Sequence, residues 1–294
     1  LEKLWEEIMW TEFDMEVQGG GITLRGYHWP VENAEQVVVI IHGIGEYAGR
    51  YDRVAGILGE AKIAVLSMDL RGHGKSPGKR GHTAPRRRIL QDIDALIKEA
   101  EKQYPDVPLI LYGHSMGANM VLDYRVRGAM ADHPAAYLTT APWILLVKPV
   151  SPLLKKLAGV LSLVTPSVLF RSKIDSAVLG NPKSVGEYHR DPMVHGFISA
   201  QTAHDGFFMA EQLAKGTLKG PFLAKEKPLL ILHGTQDRLC DVEGARLVFS
   251  HEDPAHTLLE ELPGIYHEIH NGGPQSDGQE IIYKIRDYIK THSA

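Results

Sequence analysis

The 294 residues predict an α/β architecture: an open, mostly parallel sheet with helices on both faces, interrupted by one capping insertion. Three observations carry this. Short apolar runs recur without polar alternation, the pattern of strands covered on both faces. Helix-period segments separate them, so strand and helix alternate, and right-handed crossovers follow from that order. One stretch, 141–212, breaks the rhythm with prolines at 142, 149, 152, 166, 182 and 192.

The elements follow in order. Glu12–Val17 and Ile22–Trp29 alternate apolar and polar residues around Gly19-Gly20-Gly21, which predicts an antiparallel hairpin at one sheet edge. The buried strands are predicted at Val37–Ile41, Ile63–Met68, Pro108–Tyr112, Tyr137–Thr140, Leu229–Leu232 and Thr257–Leu262. Helices are predicted at Arg50–Glu60, Ile89–Gln103, Asn119–Arg127 and Gly278–His292. Residues 1–140 and 213–294 therefore form the core, and 141–212 form a cap.

Composition excludes several classes. The 32 basic and 36 acidic side chains give a net charge of −4, so no global positive field holds DNA or RNA. A single cysteine, Cys240, rules out an intramolecular disulfide and the cysteine-rich zinc modules, and makes a reducing compartment, the cytoplasm, the expectation. No apolar run of membrane-spanning length occurs, and the acidic Leu1–Glu7 lacks the basic-then-apolar layout of a secretory signal.

The chemistry is carried by Gly113-His114-Ser115-Met116-Gly117. A serine at a strand-to-helix turn sits in a strained conformation that presents its hydroxyl, and the flanking glycines avoid clashes with neighbouring backbone. A serine hydroxyl is a weak nucleophile at neutral pH and needs a base, and the base needs an orienting acid. With a nucleophile elbow of this kind the chain order is Ser, then Asp or Glu, then His. Asp237 follows the strand Leu229–Leu232 at its carboxyl end, where open α/β sheets place ligands. His267 lies on the loop after the last strand, from which an imidazole can reach across the top of the sheet, and His270 on the same loop is the second candidate for the base. A tetrahedral intermediate would need two backbone donors, and Met116 N–H and Ile44 N–H are the candidates. His42 is expected to be structural, hydrogen-bonded within its loop. Metal binding is disfavoured for the histidines: no HExxH is present, and the spacing of His267 and His270 does not place two ligands one helical turn apart.

The strings HGIGEYAGRY (42–51), DLRGHGKSPGKRG (69–81), GHSMG (113–117), HGTQDRLC (233–240) and YHEIHN (266–271) together resemble the monoacylglycerol lipase and lysophospholipase branch of the α/β-hydrolase superfamily. The resemblance runs from about Trp10 to the C-terminus and is weakest in the insertion. It implies an α/β-hydrolase fold, Ser115 as nucleophile, His267 as base, Asp237 as orienter, and Ile44 and Met116 as oxyanion donors. It also implies a polar alcohol-binding end formed by Glu46, Arg50 and His270, with Tyr188 contributed by the cap. An ion pair that merely stabilises the loop is the competing role for Glu46 and Arg50. Cys240 reads as a small buried hydrophobe. Gly272-Gly273-Pro274 stands where the family carries an acidic turn, a change expected to loosen that loop.

The implied activity is cleavage of a monoacylglycerol to glycerol and fatty acid without a cofactor. Lysophospholipase or general carboxylesterase activity is the alternative. A non-catalytic binding protein on the same fold is a reading of another class, and such a protein would be expected to lack a triad member, whereas all three are present here. Finally, 133–174 contains five basic side chains and no acid, leaving −9 for the rest of the chain. Lysines set among large apolar residues at 143–170 are the composition of a segment that docks transiently on a lipid surface, or else of a cap helix buried on the sheet.

Overall fold

The computed structural model describes residues 10–17, 21–172, 174–186, 188–220 and 226–292. Leu1–Glu7, the turn glycines Gly19 and Gly20, and Lys173 lie outside the described residues. The predicted hairpin is present as β1 (Thr11–Glu16) and β2 (Thr23–Trp29), paired antiparallel. Two short strands, β7 (Leu169–Arg171) and β8 (Phe197–Ser199), pair only with each other, and the strands that continue the main sheet are β3 (Gln36–Ile41), β4 (Ile63–Met68), β5 (Leu109–His114), β6 (Ala136–Thr140), β9 (Leu229–Gly234) and β10 (Thr257–Leu262). They form an eight-stranded sheet in the order β1-β2-β4-β3-β5-β6-β9-β10, and every pair from β4 to β10 is parallel. The α/β-hydrolase fold expected from the sequence is the fold observed.

The layers follow from strand periodicity. In β3, Val37, Val39 and Ile41 face one core, and Val38 and Ile40 face the other. The first core is closed by α2 (Arg86–Gln103), α3 (Met116–Arg127), α6 (Ala200–Ala214) and α7 (Val242–Phe249), and the second by α1 (Asp52–Gly59) and α8 (Gln279–Thr291). Two helix starts precede their expected positions. In α2 the three arginines 86–88 hide the first turn from an apolar period, although Arg86 is itself buried. In α3, residues 116–126 are all buried, so no polar face marks the beginning. The predicted helix Arg50–Glu60 divides into a 3₁₀ turn, Ala48–Tyr51, and α1.

The segment expected as cap holds α4 (Pro152–Val164), α5 (Pro182–Val185) and an antiparallel pair, β7 (Leu169–Arg171) with β8 (Phe197–Ser199). It also holds most of α6, which returns the chain toward β9 and packs on α3 and α7 as well as on α4. The segment touches the loops that follow β3 and β10: His195 N donates to Gly45 O (2.9 Å) and Glu268 N to Leu179 O (2.6 Å).

Candidate active site

The elbow is built as its residues require. Ser115, between β5 and α3, has φ 54° and ψ −113°, a conformation that costs a non-glycine residue about 1–3 kcal/mol and persists only where the surroundings enforce it. They do so here: Ser115 N donates to Thr140 O (2.9 Å), and Ser115 O accepts from Asn119 N and Trp143 N (both 3.1 Å). A Cβ at Gly117 would collide with Ile41 O and His42 O, and one at Gly113 with Gly117 O and Ala118 Cα. Both glycines are thus fixed by close backbone approach.

Around this serine the structure brings together the side chains expected from the sequence. His267 Nε2 lies 2.9 Å from Ser115 Oγ, and His267 Nδ1 lies 2.7 Å from Asp237 Oδ2. The sequence separation of 152 between Ser115 and His267 is bridged because both follow the carboxyl ends of strands in one sheet. Asp237 Oδ1 accepts from Leu239 N (2.8 Å) and Cys240 N (3.0 Å). Burial works against the Asp237 charge, but the His267 and His233 imidazoles beside it outweigh burial, so its pKa falls well below the carboxylate range. For His267, burial favours the neutral ring, yet the Asp237 carboxylate wins and holds the imidazole above its ordinary 6.5. The acid side chain therefore fixes both the orientation and the basicity of the ring.

The loop after β3 closes the other side. A Cβ on Gly43 would stand 3.2 Å from Ser115 Cβ, so the loop that carries Ile44 passes beside the serine, and Met116 opens α3 immediately after it. His42 is structural as expected. Its Nε2 accepts from Leu70 N (3.0 Å), so Nδ1 carries the proton and donates to Gly43 O (2.7 Å). Burial keeps this ring neutral, with a pKa near about 4.

Glu46 and Arg50 are joined by a partner that sequence reasoning assigned no role. Arg50 binds Glu268 through two parallel bonds (2.6 and 2.9 Å) and Glu46 Oε2 through a third (3.0 Å). Glu46 Oε1 in turn accepts from Gly43 N (2.6 Å) and Tyr51 Oη (3.2 Å). Glu268 accepts from Asn271 Nδ2 (2.7 Å), and its backbone N donates to Leu179 O of the cap (2.6 Å). Burial raises Glu46, whereas Arg50 overcomes burial at Glu268 and holds it down at about 2. The one available signal for Glu268 was its position inside the YHEIHN string, beside the candidate base. Tyr188 lies with its ring 4.8 Å from the Arg50 guanidinium carbon, so the cap residue covers the ion cluster. His270 is buried against Tyr51 (ring centres 5.2 Å apart) and His114 (5.6 Å). Neither of its ring nitrogens has a hydrogen-bond partner among the described residues, and burial lowers its pKa to about 4.

Cys240 is buried as expected, and burial with the nearby Asp237 pushes its thiol far up. Its Sγ, one Asp237 oxygen and one His267 nitrogen lie within 4.8 Å of one another, but both His267 nitrogens are already engaged by Ser115 and Asp237. The loop at 272–274 is tight, contrary to expectation. Gly272 adopts φ 73°, its carbonyl accepts from Tyr266 N (3.0 Å), and Gly273 pairs with Ser276. Glycine there permits a close turn that an acidic side chain would hinder.

Above the site, a cleft of about 390 Å³ opens in the cap between Arg171, Tyr188, His189, His195 and Phe197. On the outer cap, α4 exposes Leu153, Leu154, Leu157, Val160, Leu163 and Val164. No helix among the described residues is long and apolar enough to cross a membrane.

An elbow serine, an imidazole and a buried carboxylate in line on an eight-stranded α/β sheet define a serine ester hydrolase of the α/β-hydrolase class. The chain belongs to the family described as serine aminopeptidase, S33, whose profile matches residues 32–273. It is 32% identical over 275 residues to the monoacylglycerol lipase of Mycolicibacterium smegmatis, covering 93% of this chain and 95% of that protein. It is 29% identical to the monoglyceride lipase of Rattus norvegicus, covering 93% and 88%. Among solved structures, the Paleococcus ferrophilus monoacylglycerol lipase superposes with a TM-score of 0.79 at 30% identity, covering 92% of this chain and 99% of that one. A soluble variant of the Saccharomyces cerevisiae monoglyceride lipase, in complex with a substrate analog, gives a TM-score of 0.84 at 23% identity, covering 98% and 96%, a likeness of fold. The protein is thus a carboxylic ester hydrolase of the monoglyceride lipase-like group.

Proposed function

We propose that the protein hydrolyses monoacylglycerols to glycerol and free fatty acid. Ser115 Oγ attacks the ester carbonyl while His267 Nε2 takes its proton, and the oxyanion is met by the backbone N–H groups of Ile44 and Met116. His267 then returns the proton to the departing glycerol oxygen. Water, deprotonated by the same ring, releases the acid and regenerates Ser115. Asp237 holds the ring in one tautomer and stabilises the imidazolium throughout. No step calls for a cofactor. The observation that carries the reading is the continuous Ser115–His267–Asp237 hydrogen-bonded line, with the polar Glu46, Arg50, His270 and Tyr188 group beside it. Imidazole, carboxylate and guanidinium groups of this kind are the partners that glycerol hydroxyls take.

A panel of monoacylglycerols, lysophospholipids and short acyl esters tests the substrate. Highest kcat/KM on monoacylglycerol is expected, and a preference for lysophospholipid or short esters would replace this reading with the corresponding alternative. We further propose that α4 docks transiently on lipid, because its exposed leucines and valines sit beside Lys155 and Lys156 with no acidic residue in the helix. Co-sedimentation with anionic vesicles at low salt is expected, and its absence would overturn the docking.

A further inference from the structure

The carboxylate of Asp237 has a second imidazole beside it. His233, the penultimate residue of β9, is fully buried, and its Nε2 lies 3.2 Å from Asp237 Oδ2 and 3.1 Å from Cys240 O. Both neighbours only accept, so Nε2 carries the proton and points it between them. The tautomer is thereby fixed, and Nδ1 is left as a bare acceptor with no partner among the described residues. An orphaned buried acceptor costs about 1–3 kcal/mol, whereas an apolar side chain of similar size would incur no such penalty. On stability alone, imidazole is the poorer occupant.

What it gains is a hold on the oxygen that works. Asp237 Oδ1 is already fixed by the two backbone donors after it, but Oδ2, the atom facing His267, would otherwise be constrained only by the ring it is meant to orient. The torsion about a carboxylate is broad, so a second donor on Oδ2 narrows it. The segment that completes this arrangement is itself anchored at the base of the cap: Asp241 N donates to Leu145 O (2.9 Å) and Val147 N to Leu239 O (3.1 Å). Glu261 of β10 and Cys240 are the other titratable groups near His233, and His114, His270, Glu268, Glu46 and Cys240 are those facing His267 besides Asp237.

We infer that His233 is a positioning residue for the hydrolytic reaction, its Nε2–H holding Asp237 Oδ2 in the direction that aligns His267 with Ser115. The inference rests on Asp237 being the orienting carboxylate. It has a signature that packing alone lacks. A donor on Oδ2 competes with His267 for that oxygen, so removing it makes Asp237 a stronger acceptor and favours the imidazolium. The acid limb of the pH–rate profile then moves to higher pH.

The test uses a soluble chromogenic ester and two replacements. For His233→Leu, kcat should fall on the order of 10-fold, short of the about 10²-fold that a 1 Å misplacement costs. KM should stay within about twofold, and the acid limb should shift upward. His233→Gln, whose amide nitrogen can reach the Nε2 position, should restore most of kcat and return the limb. In an Asp237→Asn background, His233→Leu should add less than about a twofold further loss. Equal losses from Leu and Gln with an unmoved limb, or full additivity in the Asn background, would overturn the inference. Should His233→Leu not fold, His233→Asn, too short to reach Oδ2, takes its place beside Gln, with the same expectations. If Asp237→Asn alone leaves kcat unchanged, the triad reading and this one fall together, whereas a shift in substrate preference alone leaves the inference standing.

Discussion

The triad corner and the outer cap are opposites in how they are held. Ser115 and His267 are 6% and 5% exposed, and hydrogen bonds to backbone or side chains fix the serine backbone, both ring nitrogens and the Asp237 carboxylate. On α4, Leu163 and Leu153 are 86% and 75% exposed, with no acidic neighbour in the helix. The contrast separates two physical tasks. Proton relay tolerates little displacement, so it is built at the ends of strands that cannot move independently. The lipid docking proposed for α4 would need apolar area without a fixed partner, and the exposed face of that helix offers it. Arg50 lies between the two regimes, bonded to Glu46 and Glu268 below and covered by Tyr188 of the cap above.

The comparison can be broken by substitutions on either side. Ser115→Ala should leave the fold intact and lower kcat by about 10⁶-fold, as expected for loss of a nucleophile; esterase assays with a circular dichroism control check it. Asp237→Asn should cost about 10⁴-fold through the wrong imidazole tautomer, with KM little changed. Arg50→Met leaves Glu46 and Glu268 buried without their shared cation, and should destabilise the fold by about 3–5 kcal/mol in urea titrations. A loss of affinity for glycerol esters with unchanged stability would instead make Arg50 a pure binding residue.

Smaller effects sharpen the picture. Because Asp237 holds the His267 pKa above 6.5, the neutral base is lost as pH falls through that raised value. kcat/KM should therefore rise with pH along a limb centred above 6.5, and a limb at or below 6.5 would contradict the pairing. Leu163→Glu on the cap should change stability by no more than about 0.5 kcal/mol while reducing vesicle binding, measured by co-sedimentation.

How much of this was legible in the sequence differs between the same two regions. The core strands were readable because they are continuous apolar runs, and the triad because each member closes a strand that could be located independently. Glu268 was not legible as the partner of Arg50: the two are 218 residues apart, and an acid between two histidines does not announce where its cation lies. His233 was hidden for a similar reason, since the end of a strand buried on both faces gives no periodic signal about what its side chain touches. In the cap, β7 and β8 have three residues each, too short to establish alternation. The prolines that mark the insertion also conceal that α6 rejoins the core.

The central claim is that Ser115 is the atom acylated and that His267 makes it so. Intact-mass analysis after treatment with a fluorophosphonate, followed by peptide mapping, tests this directly. A single adduct on Ser115, absent in Ser115→Ala and forming much more slowly in His267→Ala, is the predicted result. An adduct that persists in Ser115→Ala, or that forms at the same rate without the imidazole, would contradict it.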